Sequence, residues 1–143
     1  AKGLAGAYAQ SMSLRFNFIG IVTRDLGASL AFYRALGLDI PAGQDDADHV
    51  EISLPGGMTL AWDPIDTILG FDLSYVMPAG SHRIAFAFAA ESPAEVDQTV
   101  AALAAAGHKV HTEPFDAPWG QRYATLHDPD GNAVDIYALL PAD

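Results

Sequence analysis

The chain contains one pattern of predicted elements twice, and this internal repeat restricts its fold more than any other feature. Each copy opens with a short apolar strand rich in β-branched and aromatic residues, at Phe16–Thr23 and at Arg83–Ala89. Each strand leads through an N-cap residue, Asp25 or Ser92, into a helix. The sequence therefore predicts two tandem modules built from the same unit.

Both predicted helices have one apolar face and end at a glycine. Gly37 and Gly107 occupy the position after the last helical turn, where the left-handed conformation is common. Apolar residues recur at intervals of three or four positions, as on one face of a helix. These residues are Leu26, Leu30, Tyr33 and Leu36 in the first helix, and Val96, Val100 and Leu103 in the second.

Three more strands are predicted after each helix, so that each module is β-α-β-β-β and the fold class is α+β. LPGGM (54–58) and DPDGN (128–132) form equivalent turns, and the opening strands align with Phe18 against Arg83. The predicted strands are Leu38–Ile40, His49–Leu54 and Met58–Asp63 in the first copy, and His108–Thr112, Arg122–His127 and Ala133–Leu139 in the second.

The repeat also divides the chain into segments that together make one structural domain. Residues 1–12 are expected to be a disordered leader or an expression remnant, because they are small and polar and precede the first strand. Residues 13–63 form the first module and residues 82–143 the second. Residues 64–81 connect them, and the alternation of Leu69, Phe71 and Leu73 leaves a short extra strand open there.

Charge and composition narrow the classes of function. Of 143 residues, 18 are Asp or Glu and 7 are Lys or Arg, which gives a formal net charge of −11. Such a surface repels phosphate backbones, so no nucleic-acid partner is expected. The same charge would attract a cationic small molecule, and the alternative is that it only keeps the protein soluble.

The chain has no cysteine, which excludes disulfide bonds, thiol catalysis and cysteine-ligated metal sites. No run of about 18 apolar residues is present, so no membrane partner is expected. A chain without cysteine fits a reducing compartment, and we expect it to be cytoplasmic.

Two segments resemble the vicinal oxygen chelate superfamily, also called the glyoxalase/bleomycin resistance protein/dioxygenase fold. They are FIGIVTRDLGASLAFYRALGLDI (18–40) and PWGQRYATLHDPDGNAVDIYALL (118–140), within a resemblance that covers residues 13–140. It implies two modules that form an open half-barrel, with the helices outside and a ligand in the concave cleft. The chain is most similar to the metal-free branch, whose acidic dimers sequester antibiotics.

The resemblance also implies where a metal would be bound, because metal-dependent members place one ligand on the first and one on the last strand of each module. The matching positions are Phe18, Ala61, Arg83 and Asp135. Only the carboxylate ligates divalent ions, since phenylalanine and alanine have no lone pair and arginine adds a fixed positive charge. We therefore expect no metal and no other cofactor. Arg83 and Asp135 would instead form an ion pair or each contact a ligand.

One alternative retains a metal site. A shift of one residue along the strand would bring His82 to the position of Arg83, where it would form a two-ligand site with Asp135. The same shift would turn the large side chains of Phe86 and Phe88 from the core into the cleft.

Side chains alternate along strands, which predicts the residues that face the cleft. Trp119, between Pro118 and Gly120, is expected in a rigid exposed turn, where it stacks on a planar or cationic group. The alternative is a tryptophan that fills the core. The predicted ligand-binding residues are Phe18, Glu51, Asp63, Arg83, Trp119, Tyr123, His127, Asp135 and Tyr137.

The sequence thus predicts metal-independent binding of a small cationic or aromatic ligand, as in the bleomycin-type resistance proteins that the chain resembles. The alternative is an enzyme of the same superfamily, either a metal-dependent glyoxalase or dioxygenase or a metal-free lyase or isomerase. A metal-free enzyme would use Asp135 or Glu51 as general base and Arg83 as electrostatic partner. Analogy with the family further predicts a homodimer.

Overall fold

The computed structural model describes residues 13–80 and 83–142, so the predicted leader and His82 lie outside the described residues. The predicted α+β class is confirmed. In chain order the elements are β1 (Phe18–Thr23), α1 (Leu26–Ala35), β2 (Val50–Leu54), β3 (Met58–Pro64), α2 (Ile65–Leu69), β4 (Ala85–Ala89), α3 (Pro93–Ala105), β5 (Lys109–Ala117), β6 (Gln121–His127) and β7 (Ala133–Leu139).

The strands form two separate open sheets, one for each copy of the repeat. The first sheet has three strands in the order β1-β3-β2, and the second has four in the order β4-β7-β6-β5. In each, the opening strand is parallel to the last one, and the other pairs are antiparallel. Both helix starts are as predicted, because Asp25 accepts a hydrogen bond from the amide of Ala28 and Ser92 from that of Glu95.

The predicted strand at Leu38–Ile40 is wrong, since this segment folds back as an irregular turn. The amide of Ile40 donates to the carbonyl of Leu38 at 3.0 Å. The guanidinium of Arg34 donates to the carbonyls of Ile40 at 3.1 Å and Pro41 at 2.6 Å. These carbonyls are therefore occupied locally and do not pair with a neighbouring strand.

The connection between the modules contains a short helix immediately before the segment where the sequence left a strand open. Residues 65–69 form the single-turn helix α2, and in the described part of the connection no strand follows it. Among residues 13–80 and 83–142, every helix is too short or too polar to cross a membrane.

A single hydrophobic core joins the two copies of the repeat. It combines side chains from α1, α3 and both sheets, with Tyr33, Phe32 and Trp62 fully buried. The hydroxyl of Tyr33 donates to the buried carboxylate of Asp128 at 2.8 Å, which is a hydrogen bond between the modules. Burial, together with the Asp128 carboxylate, raises the pKa of Tyr33.

Candidate ligand-binding face

The second sheet has one face against the core and one open face. Ala124, Leu126, Val134 and Ile136 are buried in the core beside α3. The residues between them on β6 and β7 must point the other way, because side chains alternate along a strand. The open face therefore carries Tyr123, Thr125, His127, Asp135 and Tyr137, as the alternation predicted.

Asp135 lies at the centre of this open face and is held by two hydroxyl groups of β6. The hydroxyl of Tyr123 donates to one carboxylate oxygen, and that of Thr125 donates to the other at 2.7 Å. Burial raises the pKa of Tyr123 to about 12, and the hydrogen bond and charge of Asp135 contribute to the shift. The tyrosine is thus a neutral donor over the whole physiological range.

Three aromatic rings form a contiguous cluster at one end of the open face, which we call the aromatic end: Phe115, Trp119 and Tyr123. The ring centroids of Trp119 and Tyr123 are 5.3 Å apart, and those of Phe115 lie 6.0 and 6.3 Å from these two rings. All three pairs meet edge to face, the favoured geometry for aromatic contacts. The rings touch each other, so a ligand would stack on their outer surface.

Trp119 is 59% exposed, so the alternative in which it fills the core is wrong. It sits in the three-residue turn that joins β5 to β6, where Gly120 has a φ of +90°. Its indole nitrogen donates to the side-chain oxygen of Gln121 at 2.9 Å. The turn and this hydrogen bond fix the indole with its surface toward solvent.

Phe115 is a member of the cluster that the sequence did not predict, because the strand was expected to end at Thr112. The strand runs on to Ala117 and pairs Phe115 with Tyr123. The sequence did contain a signal for this contact. Phe115 lies three positions before the turn at Pro118, and Tyr123 lies three positions after its last residue, Gly120, so a hairpin would place the two rings opposite each other.

The strand registers correct the predicted alignment of the two copies. Phe18 pairs with Thr59 in the first sheet, and Ala85 pairs with Ala133 in the second. Because the turns superpose Thr59 on Ala133, Phe18 corresponds to Ala85 and not to Arg83 as predicted. The helix caps agree, since each of these residues lies seven positions before its N-cap.

With the corrected register, the positions equivalent to the metal ligands of the family are Phe18, Ala61, Ala85 and Asp135. The side chains of the phenylalanine and the two alanines have no atom that could bind a metal ion. Both carboxylate oxygens of Asp135 already accept hydrogen bonds. Among the described residues, no group of three or more His, Asp or Glu side chains has the geometry of a metal site. The donor set does not fit the metal of the metal-dependent members.

Arg83 stands outside the arrangement predicted for it. It lies before β4 and is exposed, and within the described part of the chain Asp135 forms no ion pair with it. The one-residue shift toward His82 is also wrong for the strand, because Phe86 and Phe88 pack against the core. Exposed alanines occupy the open face of β4 instead.

The first sheet carries a different set of polar groups. Nδ1 of His49 lies 2.6 Å from a carboxylate oxygen of Asp63, and Nε2 lies 3.1 Å from one of Glu51. Hydrogen bonding to Asp63, and then to Glu51, raises the pKa of His49. Asp63 and Glu51, both predicted to bind a ligand, are therefore hydrogen-bonded to one imidazole. Phe18, the third predicted residue on this sheet, is 45% exposed.

His127, the remaining predicted site residue, lies on the open face at the end away from the aromatic rings. Its ring stacks on that of His111, with centroids 4.9 Å apart and 12° between the planes. The structure thus divides the predicted site between the two sheets: Trp119, Tyr123, His127, Asp135 and Tyr137 lie on the second, and Phe18, Glu51 and Asp63 on the first.

Comparison with known proteins agrees with this architecture. Residues 15–136 match the model of the Glyoxalase/Bleomycin resistance protein/Dioxygenase superfamily. No curated protein matches the chain in sequence.

Solved structures share the fold at low sequence identity. A family enzyme from Burkholderia phytofirmans is 21% identical, with a TM-score of 0.73 over 87% of this chain and 98% of that one. A hypothetical protein from S. aureus is 25% identical, with a TM-score of 0.70 over 92% and 98%. A lactoylglutathione lyase from Agrobacterium tumefaciens is 23% identical, with a TM-score of 0.61 over 89% and 95%.

Proposed function

We propose that the chain, which belongs to the Glyoxalase/Bleomycin resistance protein/Dioxygenase superfamily, binds a small planar aromatic ligand on the open face of its second sheet without a metal ion. The family is the one that the sequence resemblance predicted. The ligand class and the metal independence go beyond the family, and their support is the chemistry of this face.

The observation that carries the proposal is the exposed indole of Trp119 within a cluster of three rings. Large aromatic side chains that remain exposed and clustered commonly mark a binding surface. Phe115 and Tyr123 contact Trp119 edge to face, and Gln121 holds its nitrogen. The indole is therefore ordered before a ligand arrives, which lowers the entropic cost of stacking.

Electrostatics favours a ligand with positive character close to its ring. The carboxylate of Asp135 lies beside the aromatic end, and each of its oxygens accepts one protein hydrogen bond. Each carboxylate oxygen can accept a second hydrogen bond, so a hydrogen-bond donor on the ligand could bind to Asp135. The net charge of −11 attracts cations toward the protein in general.

Isothermal titration calorimetry with a planar cation, N-methylacridinium, and with uncharged acridine tests the proposal. We expect Trp119→Ala to weaken binding of acridine by about fivefold and that of N-methylacridinium by about tenfold or more, because stacking contributes about 1 kcal/mol to both and a cation–π contact adds about 0.5–1 kcal/mol for the cation alone. Phe71→Ala removes an exposed aromatic ring from the connection between the modules and is the matched control. Equal affinity in the wild type and the Trp119 variant would contradict the proposal.

Metal content distinguishes the proposal from the alternative of a metal-dependent enzyme. Protein purified without chelators or a histidine tag should contain less than about a tenth of an equivalent of any transition metal, because three of the four family positions lack donors. Near one equivalent of zinc, iron, nickel or manganese, measured by mass spectrometry, would favour the enzyme.

The homodimer expected from the family stays a prediction. Light scattering at micromolar concentration tests it, and a mass corresponding to one chain would contradict it.

A further inference from the structure

A cavity of about 300 Å³ lies between β1 and β4, the opening strands of the two modules. Its walls include Ile19 and Ile21 from β1 and Phe86 from β4. Ile21 belongs to the hydrophobic core, and the other two side chains pack against it. The cavity therefore adjoins the core and is a different place from the aromatic end of the second sheet.

The connection between the modules supplies another wall of this cavity. Tyr75 and Met77 are half-buried there, and the hydroxyl of Tyr75 donates to the sulfur of Met77 at 3.4 Å. Ile84, which is 79% exposed, lies at the rim. Walls of this kind hold water poorly and favour the burial of a hydrocarbon chain.

One carboxylate interrupts the apolar lining. The side chain of Asp130 is 3% exposed, and its Oδ1 accepts a hydrogen bond from the backbone amide of Arg24 at 2.9 Å. Its Oδ2 is buried, and among the described residues no group donates to it. A buried polar atom without a partner is rare in a folded protein, so this oxygen calls for a donor.

The polar groups nearest to Asp130 are engaged elsewhere or lie too far away. The side-chain amide of Asn132 donates to Asp128 at 2.8 Å, and the hydroxyl of Tyr75 donates to the sulfur of Met77. The guanidinium of Arg24 is 3.8 Å from Oδ1, which is longer than a hydrogen bond. The missing donor is therefore one that a bound molecule would supply.

The charges around this carboxylate favour a cationic donor. Asp128 and Asp130 are two negative groups beside the single positive group of Arg24, and the whole chain has a net charge of −11. A hydrogen bond from a cation to a carboxylate is stronger than one from a neutral donor. Asp130 is already out of water in the free protein, so binding requires desolvation of the cation but not of the carboxylate.

Asp130 also borders a second, open cavity beside α1, and the charges there are less suitable for a cation. Lys109 and His108 line that cavity. The ammonium group of the lysine repels a cation that approaches from this side. The apolar walls of Ile19, Phe86 and Met77 lie on the side between β1 and β4, which therefore suits an apolar cation better.

We propose that the cavity between β1 and β4 binds a primary alkylamine. Its ammonium group donates to Oδ2 of Asp130, and its chain packs against Ile19, Phe86 and Met77. A volume of about 300 Å³ is at the lower end of the range for ligand pockets, so the ligand is small. The proposal is independent of the function proposed for the aromatic end, because the two places share no residue.

Three probes with the same six-carbon chain test the site: hexylammonium, 1-hexanol and hexanoate. Binding is followed by the methyl resonances of ¹³C-labelled isoleucine and methionine in the wild-type protein. We expect hexylammonium to shift the resonances of Ile19 and Met77 and to leave that of Met58, which does not line the cavity, in place. It should bind about fivefold to tenfold more tightly than 1-hexanol, and hexanoate should not bind.

The length of the chain tests the apolar walls. Each methylene group that becomes buried should tighten binding about fourfold from butylammonium to hexylammonium. Equal affinities of the two amines would contradict the assignment of the chain to this cavity.

Variants assign the charge preference to Asp130. Asp130→Asn retains an acceptor for the amide of Arg24 but removes the negative charge, so hexylammonium should lose its advantage over 1-hexanol. Asp39→Asn removes a carboxylate from an exposed position and should leave the advantage unchanged. Met77→Gln makes one wall polar and should weaken both probes alike, as seen at the resonance of Ile19.

The comparison of the three probes uses the wild-type protein, so it does not depend on the folding of any variant. Equal binding of hexylammonium and 1-hexanol would overturn the proposal. An advantage that persists in a folded Asp130→Asn variant would do the same, as would unmoved resonances of both Ile19 and Met77 at the highest soluble concentration of hexylammonium.

Discussion

The two sheets are built from the same repeated pattern of elements but have different open faces. On the first, His49 is bound between Asp63 and Glu51, and the polar groups satisfy each other. On the second, Asp135 is surrounded by hydroxyls and aromatic rings, and Trp119 remains exposed. The proposed function therefore assigns the ligand to the second sheet, whereas the polar groups of the first sheet bind each other.

One segment accounts for most of this difference. After helix α1, Arg34 binds the carbonyls of Ile40 and Pro41, and the chain makes no strand there. After helix α3, the corresponding segment pairs with β6 over Lys109–Ala117 and becomes the fourth strand. This strand carries Phe115 and leads into the Trp119 turn. The additional strand at one edge of the second sheet thus brings Phe115 beside Trp119 and Tyr123.

The largest expected effect comes from breaking the hydrogen bond that joins the modules. Tyr33→Phe leaves the buried Asp128 carboxylate without one of its donors, and we expect a loss of about 2 kcal/mol in the free energy of unfolding. Tyr75→Phe, which removes a hydroxyl from the connection between the modules, is the control. Chemical denaturation measures both, and equal stabilities would contradict the role of this contact.

Replacing Asp135 by alanine makes the second sheet resemble the first, which has Ala61 at this position. The hydroxyls of Tyr123 and Thr125 then lose their acceptor, at a cost of about 1–2 kcal/mol. The pKa of Tyr123 should fall below its value of about 12 but stay raised, because burial is the first cause of the shift. Ultraviolet titration of tyrosinate measures it.

Thr125→Val is the matched control for that experiment. It removes one donor to Asp135 and leaves the contact of Tyr123 intact, so the pKa of this tyrosine should stay high. Because the pKa of Tyr123 is higher in the folded protein than its value of about 10 in the unfolded chain, the raised pKa stabilises the folded state below about pH 10. This stabilisation is lost as the pH rises to about 12. An Asp135→Ala variant with an unchanged tyrosine titration would contradict the network.

The equivalent turns are where the two modules should behave alike. Gly57 and Gly131 have φ values of +81° and +89°, and a Cβ at either position would meet no atom within 4 Å. Gly57→Ala and Gly131→Ala should therefore each cost about 1 kcal/mol for the left-handed backbone alone. A difference of several kcal/mol between them, measured by denaturation, would show that the turns are not equivalent.

The smallest effect concerns His49 on the first sheet. Its two carboxylate partners raise its pKa, so it stabilises the folded state below the unfolded pKa of histidine. This stabilisation is lost as the pH rises through the folded pKa, and exposure limits it to less than about 1 kcal/mol. His49→Gln should reduce stability in mild acid but not at alkaline pH. An equal loss at both values would contradict the charge pairing.

Sequence patterns predicted the elements whose signals are local. Asp25 and Ser92 cap their helices through side-chain hydrogen bonds, and β7 has the predicted bounds Ala133–Leu139. The alternation along β6 and β7 also placed Tyr123 and Asp135 on one face. These features depend on neighbouring residues alone, so a single sequence contains them.

Features that the pattern of apolar residues does not specify were missed. The Leu38–Ile40 segment has the composition of a strand, but the side chain of Arg34 occupies the carbonyl of Ile40 and that of Pro41 after it. The register of β4 was displaced by two residues because its alternation of alanine and phenylalanine is unchanged by such a shift. Counting seven residues back from each helix cap would have placed Ala85, not Arg83, opposite Phe18 in the repeat.

The most direct test of ligand binding at the aromatic end uses the two indole groups of the protein. Trp119 is exposed with its nitrogen bonded to Gln121, whereas Trp62 is fully buried. Titrating ¹⁵N-labelled protein with N-methylacridinium should shift the indole N–H resonance of Trp119 and leave that of Trp62 in place, since ring currents act on stacked neighbours. An unmoved Trp119 resonance at saturating probe would contradict the account.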